Sequence, residues 1–168
     1  MDYKEAIKRE AKFWDHEFDQ KYLDFKNRAK IKNPGAFWQD PKLNQIIRGK
    51  YQDRILHPSV DKSLNILELG CGLGRFSLAL SRKGHNIKAY DISSRWINLA
   101  KAYFNVCKVN NPDVGNIVYK IGDLNKLHLP KQNFDLVFCH DSLHHILNSK
   151  RLIKEVYNSL KKGGKFLI

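Results

Sequence analysis

Asn65-Ile66-Leu67-Glu68-Leu69-Gly70-Cys71-Gly72-Leu73-Gly74-Arg75 is the stretch on which the reading of this chain turns. Ile66, Leu67 and Leu69 make a short apolar run, the pattern of a strand buried on both faces. Glycines at 70, 72 and 74 then break the run, so the strand ends in a tight loop. Glycine suits such a loop because it tolerates positive φ and, lacking Cβ, lets a ligand lie against the backbone. Phe76 to Ser81 resumes at helical spacing, so the loop feeds a helix whose unpaired N–H groups face the ligand. This is a nucleotide-cofactor site in outline. The dinucleotide fingerprint Gly-x-Gly-x-x-Gly would set a pyrophosphate there. Here the glycines alternate instead, and Glu68 at the strand end would repel a pyrophosphate and attract an ammonium. The pattern favours a ligand with a cationic end.

Downstream of this stretch, strands and helices alternate. Gly84 closes the first helix, Asn86 to Tyr90 form a second strand ending at Asp91, and Ser93 or Ser94 caps a helix through about Val109, stopped by Asn110, Asn111 and Pro112. A third strand, Asn116 to Ile121, ends in Gly122 and Asp123, and Leu124 to Lys131 reads as loop. Phe134 to Cys139 is a fourth strand, Ser149 caps a helix to Lys162, Gly163 and Gly164 end that helix, and Lys165 to Ile168 begins a fifth strand. Strict alternation implies a doubly wound parallel α/β sheet.

Upstream lies a helical extension, residues 1–62, set apart from the α/β domain of residues 63–168. Trp14, Phe18, Tyr22 and Phe25 recur at spacings of four, four and three along one face of a helix over residues 3–30. Asn33, Pro34 and Gly35 punctuate it, and Asp40 and Pro41 supply an N-cap and first turn for a second helix to about Leu56. The pair either docks its aromatic stripe on the domain or forms a lid over the cofactor mouth.

The chain has 168 residues with a formal net charge of +13, which permits acidic partners such as RNA, DNA or anionic lipid. The excess is scattered rather than blocked, the pattern of a solvated basic surface. Cys71, Cys107 and Cys139 contain no CxxC pair, which suits a reducing compartment such as the cytoplasm and argues against a disulfide framework or a thiolate metal site. No apolar run approaches the roughly 20 residues of a membrane span.

Against this basic background, Glu68, Asp91, Asp123 and Asp141 stand at or just after strand ends, four of the seven acids beyond residue 63. Ligands of a doubly wound sheet bind outside those carboxyl ends, where the strand order reverses. Asp91 stands where a carboxylate accepts both ribose hydroxyls, and Asp123, followed by Leu124, where one accepts from a base's exocyclic amine. Glu68-Leu69-Gly70-Cys71-Gly72-Leu73-Gly74, Asp91-Ile92, Gly122-Asp123-Leu124, Phe134-Asp135-Leu136-Val137 and Leu160-Lys161-Lys162-Gly163-Gly164, taken in order, resemble the successive motifs of class I S-adenosylmethionine-dependent methyltransferases. The resemblance runs from about Leu64 to the C-terminus. It implies S-adenosylmethionine as cofactor and S-adenosylhomocysteine as product, with Glu68 and Gly70 near the methionine moiety and Gly72 and Gly74 completing the loop. It places Asp91 and Ile92 at the ribose, Asp123 and Leu124 at the adenine, and Cys139 or His140 beside the sulfonium.

The implied reaction is in-line methyl transfer to a small-molecule acceptor, needing alignment, a base where the acceptor holds a proton, and no metal. Asp141, His144 and His145 follow the fourth strand and are the candidates for that work, either His serving as base, as pocket wall or fold support, or, together with His140, as a metal ligand. The segment Cys139-His140-Asp141-Ser142 differs from the Asn/Asp-Pro-Pro-Tyr/Phe motif of nucleic-acid amino methyltransferases. An RNA or protein methyltransferase and a non-catalytic cofactor-binding module are the alternatives. The resembled fold continues past its fifth strand with a helix and an antiparallel pair, whereas this chain stops at Ile168, so the fifth strand is expected to be an open edge that self-associates.

Overall fold

The structure, a computed structural model, describes residues 2–27, 41–58, 62–110 and 114–168, with the backbone alone over 17–27, 41–48 and 110. The side chains of Phe18, Tyr22 and Phe25, the turn at Asn33 to Gly35, the cap at Asp40 and the stop at Asn111 and Pro112 therefore lie outside the described residues.

Five strands, β1 (Asn65–Leu69), β2 (Asn86–Asp91), β3 (Ile117–Ile121), β4 (Phe134–Phe138) and β5 (Leu160–Leu167), form one parallel sheet in the order β3-β2-β1-β4-β5. The chain winds outward from β1 to β3 and then restarts at β4 on the other side. The switch point therefore falls between β1 and β4, directly beyond the glycine loop. Helices α1 (Tyr3–Asn27) and α2 (Pro41–Leu56) precede the sheet; α3 (Arg75–Ser81), α4 (Ser94–Asn110) and α5 (Ser149–Ser159) connect its strands. No described helix is long and apolar enough to cross a membrane.

Strand pleating divides β1 between two cores. Ile66 joins Ile55, Leu80, Ile97 and Phe104 under α2, α3 and α4, whereas Leu67 and Leu69 join Val137, Leu152 and Val156 under α5. Both faces of β1 are thus covered, which accounts for its uninterrupted apolar run. Helix α5 buries Leu152 and Val156, one turn apart, each worth about 1.5–3 kcal/mol of burial, and turns Tyr157 outward.

Two capping expectations resolve differently. Ser93 caps α4, its Oγ accepting from the Trp96 N–H at 3.2 Å. Helix α5 is capped by Asn148 rather than Ser149, through the Arg151 N–H at 3.2 Å. Asn148→Ala should therefore lower stability by about 1 kcal/mol, read as an earlier chemical-denaturation midpoint at unchanged slope.

The end of α5 is also corrected. The sequence predicts a helix to Lys162, but the helix stops at Ser159, because Leu160 turns extended (φ −73°, ψ 138°) and pairs with Phe134. The register then slips between Phe134 and Leu136 on one strand and Leu160 and Lys165 on the other. Gly163, at φ +79°, takes up this bulge, and Lys161 Nζ reaches Asp135 Oδ2 at 2.8 Å. The paired glycines serve a strand irregularity, not a helix stop.

Candidate functional site

The loop after β1 is held by its neighbours. Gly70 and Cys71 donate to the Tyr90 carbonyl at 2.8 and 3.0 Å, and Gly72 N–H donates to Asp91 Oδ2 at 2.7 Å. The three glycines all have positive φ, at +73°, +50° and +68° for 70, 72 and 74, but for different reasons. A Cβ on Gly70 would fall inside the Ser142 side chain, whose hydroxyl donates to the Leu69 carbonyl at 2.9 Å and so ties the loops of β1 and β4 together. A Cβ on Gly74 would collide with the Tyr119 ring. A Cβ on Gly72 would meet nothing within 4 Å. Packing requires the outer glycines; only the middle one opens onto space.

That space is a cavity of about 460 Å³ at the switch point, into which the ends of β1 to β4 converge. Among the residues singled out from sequence, Gly70, Gly72, Asp91, Ile92, Asp123, Leu124, His140, Asp141 and His145 line it, whereas Glu68, Gly74, Cys139 and His144 do not.

Glu68 is the main displacement. Its parity on β1 points it to the Ile66 face, beneath α3, where it is buried and accepts from both the N–H and the hydroxyl of Ser77. Burial pushes its carboxyl up to about 8, against the bonds from Ser77. Glu68 thus ties the first turn of α3 to the sheet and stands beneath the cavity rather than in its lining.

Asp91 and Asp123 stand at the tips of β2 and β3. Asp91 accepts from Gly72 through one oxygen and from the Ser93 N–H at 2.9 Å through the other. Burial raises its carboxyl above the ordinary range, opposed by the backbone donors of Ser93, Gly72 and Ile92. Asp123 Oδ1 accepts from Asn125 N and Nδ2 at 2.9 and 3.0 Å, while Oδ2 receives the Tyr3 hydroxyl. Burial and the bond to Asp123 push Tyr3 up to about 12, so it remains a donor.

Beyond β4, buried Cys139 places Sγ 3.0 Å from Ser142 Oγ. His140 packs against the rings of Phe76 and Tyr51 at centroid distances of 4.9 and 5.5 Å, with Nδ1 3.6 Å from Asp141 Oδ2. Asp141 has φ +53°, a left-handed conformation that Asp tolerates better than most residues. A short 3-10 turn, Leu143–His145, then carries His145 to the cavity, with the His144 ring 4.0 Å behind it.

Of the two placements the sequence leaves open for the N-terminal helices, neither names the residues by which α1 meets the cavity. Ile7, Glu10 and Trp14 line the cavity, and α1 is fastened by Tyr3 to Asp123, by Glu10 to His145 at 3.3 Å, and by the Ser93 hydroxyl to Asp15 at 2.5 Å. Tyr3, Ile7, Glu10 and Trp14 recur at spacings of four, three and four, continuing the aromatic stripe toward the N-terminus. That periodicity was a usable signal, hidden because one member is charged. Among the described residues, the lining carries four carboxylate residues, Glu10, Asp91, Asp123 and Asp141, against one cation, Arg75. In a chain of net charge +13, the cavity is a locally acidic site.

Comparison with known proteins bears on what such a cavity holds. A family model described as a methyltransferase domain matches residues 67–168. The chain is 28% identical over 150 residues to the ubiquinone biosynthesis O-methyltransferase of Coxiella burnetii (strain RSA 493 / Nine Mile phase I), covering 85% of this chain and 60% of that protein. It is 32% identical over 106 residues to malonyl-[acyl-carrier protein] O-methyltransferase 1 of Ilyobacter polytropus, covering 62% and 37% respectively. Among solved structures, an S-adenosylmethionine dependent methyltransferase from Mesorhizobium loti superposes with a TM-score of 0.57 at 32% identity, over 69% of this chain and 51% of that one. The PH0226 protein of Pyrococcus horikoshii OT3 superposes with a TM-score of 0.60 at 29% identity, over 76% and 57%. The chain thus spans less than two thirds of the length of each of these relatives.

Proposed function

This chain belongs to the methyltransferase-domain family, and from that premise we propose that it transfers the methyl group of S-adenosylmethionine, the family's cofactor, to the hydroxyl oxygen of a small molecule bound under α1. The observation that carries the reading is the open face of Gly72 between acidic strand tips. Where a Cβ on Gly72 would meet no protein atom, a ligand can lie against the backbone, and the carboxylates around it suit a ligand with cationic centres. These residues fit the cofactor.

On this reading Gly70 and Gly72 face its methionine end. Asp91 accepts the ribose hydroxyls through the lone pairs that its backbone donors leave over, with Ile92 beside the sugar. Asp123 and Leu124 meet the adenine, and His140, backed by Cys139, borders the sulfonium. Gly74 and Glu68 act beneath the site, seating the loop on Tyr119 and α3.

When bound, the cofactor supplies an activated methyl group whose transfer leaves a neutral thioether. The chain's own residues then have to align the acceptor and remove its proton. His145 is the base of this proposal, because it lines the cavity and its Nε2 has no hydrogen-bond partner among the described residues. Asp141 orients the acceptor from the same side, and His144 packs behind the base. Helix α1 is the lid. An oxygen acceptor is supported by the two relatives named as O-methyltransferases. A small acceptor, rather than a phosphate backbone, is supported by the surplus of carboxylates over cations among the described lining residues.

Isothermal titration with S-adenosylmethionine, followed by incubation with a panel of small hydroxylated compounds, tests the proposal through release of S-adenosylhomocysteine. Asp91→Ala should weaken cofactor binding by about 1–3 kcal/mol, the value of charge-assisted hydrogen bonds to the ribose. Unchanged affinity would remove Asp91 from the site.

A further inference from the structure

The acidic side chain of α1 that meets the cavity points to a role for that helix beyond covering it. Resting on the reading of His145 as base, we propose that Glu10 is a positioning residue that sets the tautomer and orientation of His145. Methyl transfer would then require a carboxylate delivered by the N-terminal helix.

Glu10 Oε1 lies 3.3 Å from His145 Nδ1 and accepts from Trp14 Nε1 at 2.8 Å. The indole donor fixes the carboxylate, which would otherwise sweep a wide arc on its flexible stem. Trp14 also stands edge-on to the imidazole, with ring centroids 5.2 Å apart and planes at 85°, and the His144 ring lies 4.0 Å away, tilted by 43°. The imidazole is thereby held by one charge and two rings. Side chains of both Glu10 and His145 are 32% exposed, enough to reach the cavity and too little for water to dominate their interaction.

A carboxylate at Nδ1 favours the tautomer with hydrogen on that nitrogen, since only an N–H is attracted there. The lone pair then resides on Nε2, the nitrogen with no hydrogen-bond partner among the described residues. In the transfer step, Nε2 takes the hydroxyl proton as the oxygen pair forms its bond to carbon. The bonding pair of the departing group stays on sulfur, and the new positive charge on the imidazole is balanced by Glu10. A residue on a separately fastened helix thus couples lid closure to the base: with α1 away, His145 loses its orienting partner.

The test reads the tautomer directly and needs no acceptor. Protein labelled with ¹⁵N in both histidine ring nitrogens is examined by long-range ¹H–¹⁵N correlation at pH 8 with S-adenosylhomocysteine present and absent, and His145→Gln identifies the resonances. The wild type should show His145 protonated at Nδ1. Glu10→Met, which keeps length and helix propensity without a strong acceptor, should lower the ratio of Nδ1–H to Nε2–H forms by about tenfold, and Glu10→Asp should recover part of it. A wild-type spectrum dominated by the Nε2–H form, whatever the variants do, would overturn the proposal, as would a Glu10→Met spectrum matching wild type. Calorimetry with S-adenosylmethionine on the same samples separates the two readings. Loss of binding in the wild type strikes at the methyltransferase assignment, whereas normal binding with the wrong tautomer strikes at Glu10 alone.

Discussion

Gly72→Val should abolish measurable binding of S-adenosylmethionine, raising Kd by at least about 100-fold, roughly 2.7 kcal/mol. Two effects combine. The new side chain would grow from a position where a Cβ meets no protein atom within 4 Å, so its volume comes out of the ligand's space. It would also impose a β-branched residue on a backbone at φ +50°, a strain of about 1–3 kcal/mol that opposes the loop conformation itself. Gly84→Val separates the two. Gly84 has φ +81° and equally open surroundings but lies outside the cavity, so that variant carries the strain without the obstruction. Titration calorimetry should find binding lost in the first variant and kept in the second. Binding within threefold of wild type in Gly72→Val would mean that the cofactor lies elsewhere.

Raising the pH from 5 to 8 should destabilise the wild-type protein relative to Glu68→Gln by about 4 kcal/mol. The sign follows from proton uptake. The Glu68 carboxyl, ordinarily near 4.5, is pushed up to about 8 in the folded state by complete burial. Between those values the folded chain holds a proton that the unfolded chain has lost, so stability falls as pH rises through the window. Glutamine keeps an acceptor for Ser77 and cannot ionise, which removes this slope while leaving the α3 first turn supported. Other groups titrate as well, His85 among them, its imidazole lowered from the ordinary value by burial and by Lys83. The comparison between variant and wild type cancels their contribution. Urea midpoints at unit pH intervals provide the check, and parallel curves for the two proteins would place the Glu68 carboxyl outside the buried network beneath the loop.

The sheet was readable from sequence because its signals are local. Ile66 to Leu69 is apolar without interruption since cores press on both faces of β1, and Asp91 and Asp123 follow apolar runs at the tips of β2 and β3. Where the reading slipped, a pairing at a distance overrode a local cue. Lys162, Gly163 and Gly164 look like a helix end, yet Leu160 already pairs with Phe134 and draws the chain into β5. Glu68 was assigned by closeness to the loop, but alternation along β1 sends it to the Ile66 side, a consequence of pleating that its position in the run already contained. The share of the site supplied by α1 was least legible. Tyr3 and Asp123 are 120 residues apart, and spacing along a helix reveals which side chains share a face without revealing what that face meets. The three glycines were alike as a motif and unlike in the fold, since only neighbours such as Ser142 and Tyr119 distinguish those required for packing from the one that leaves room.

The central claim is that the cavity bounded by Gly72, Asp91 and Asp123 is the seat of the cofactor. Crystals grown with S-adenosylhomocysteine test it most directly. The homocysteine end should lie against Gly72, with the ribose hydroxyls on Asp91 and the adenine amine at Asp123, the Tyr3 hydroxyl yielding its place on that carboxylate. Density for the compound at any other position, or an Asp91 carboxylate without contact to the sugar, would contradict the account.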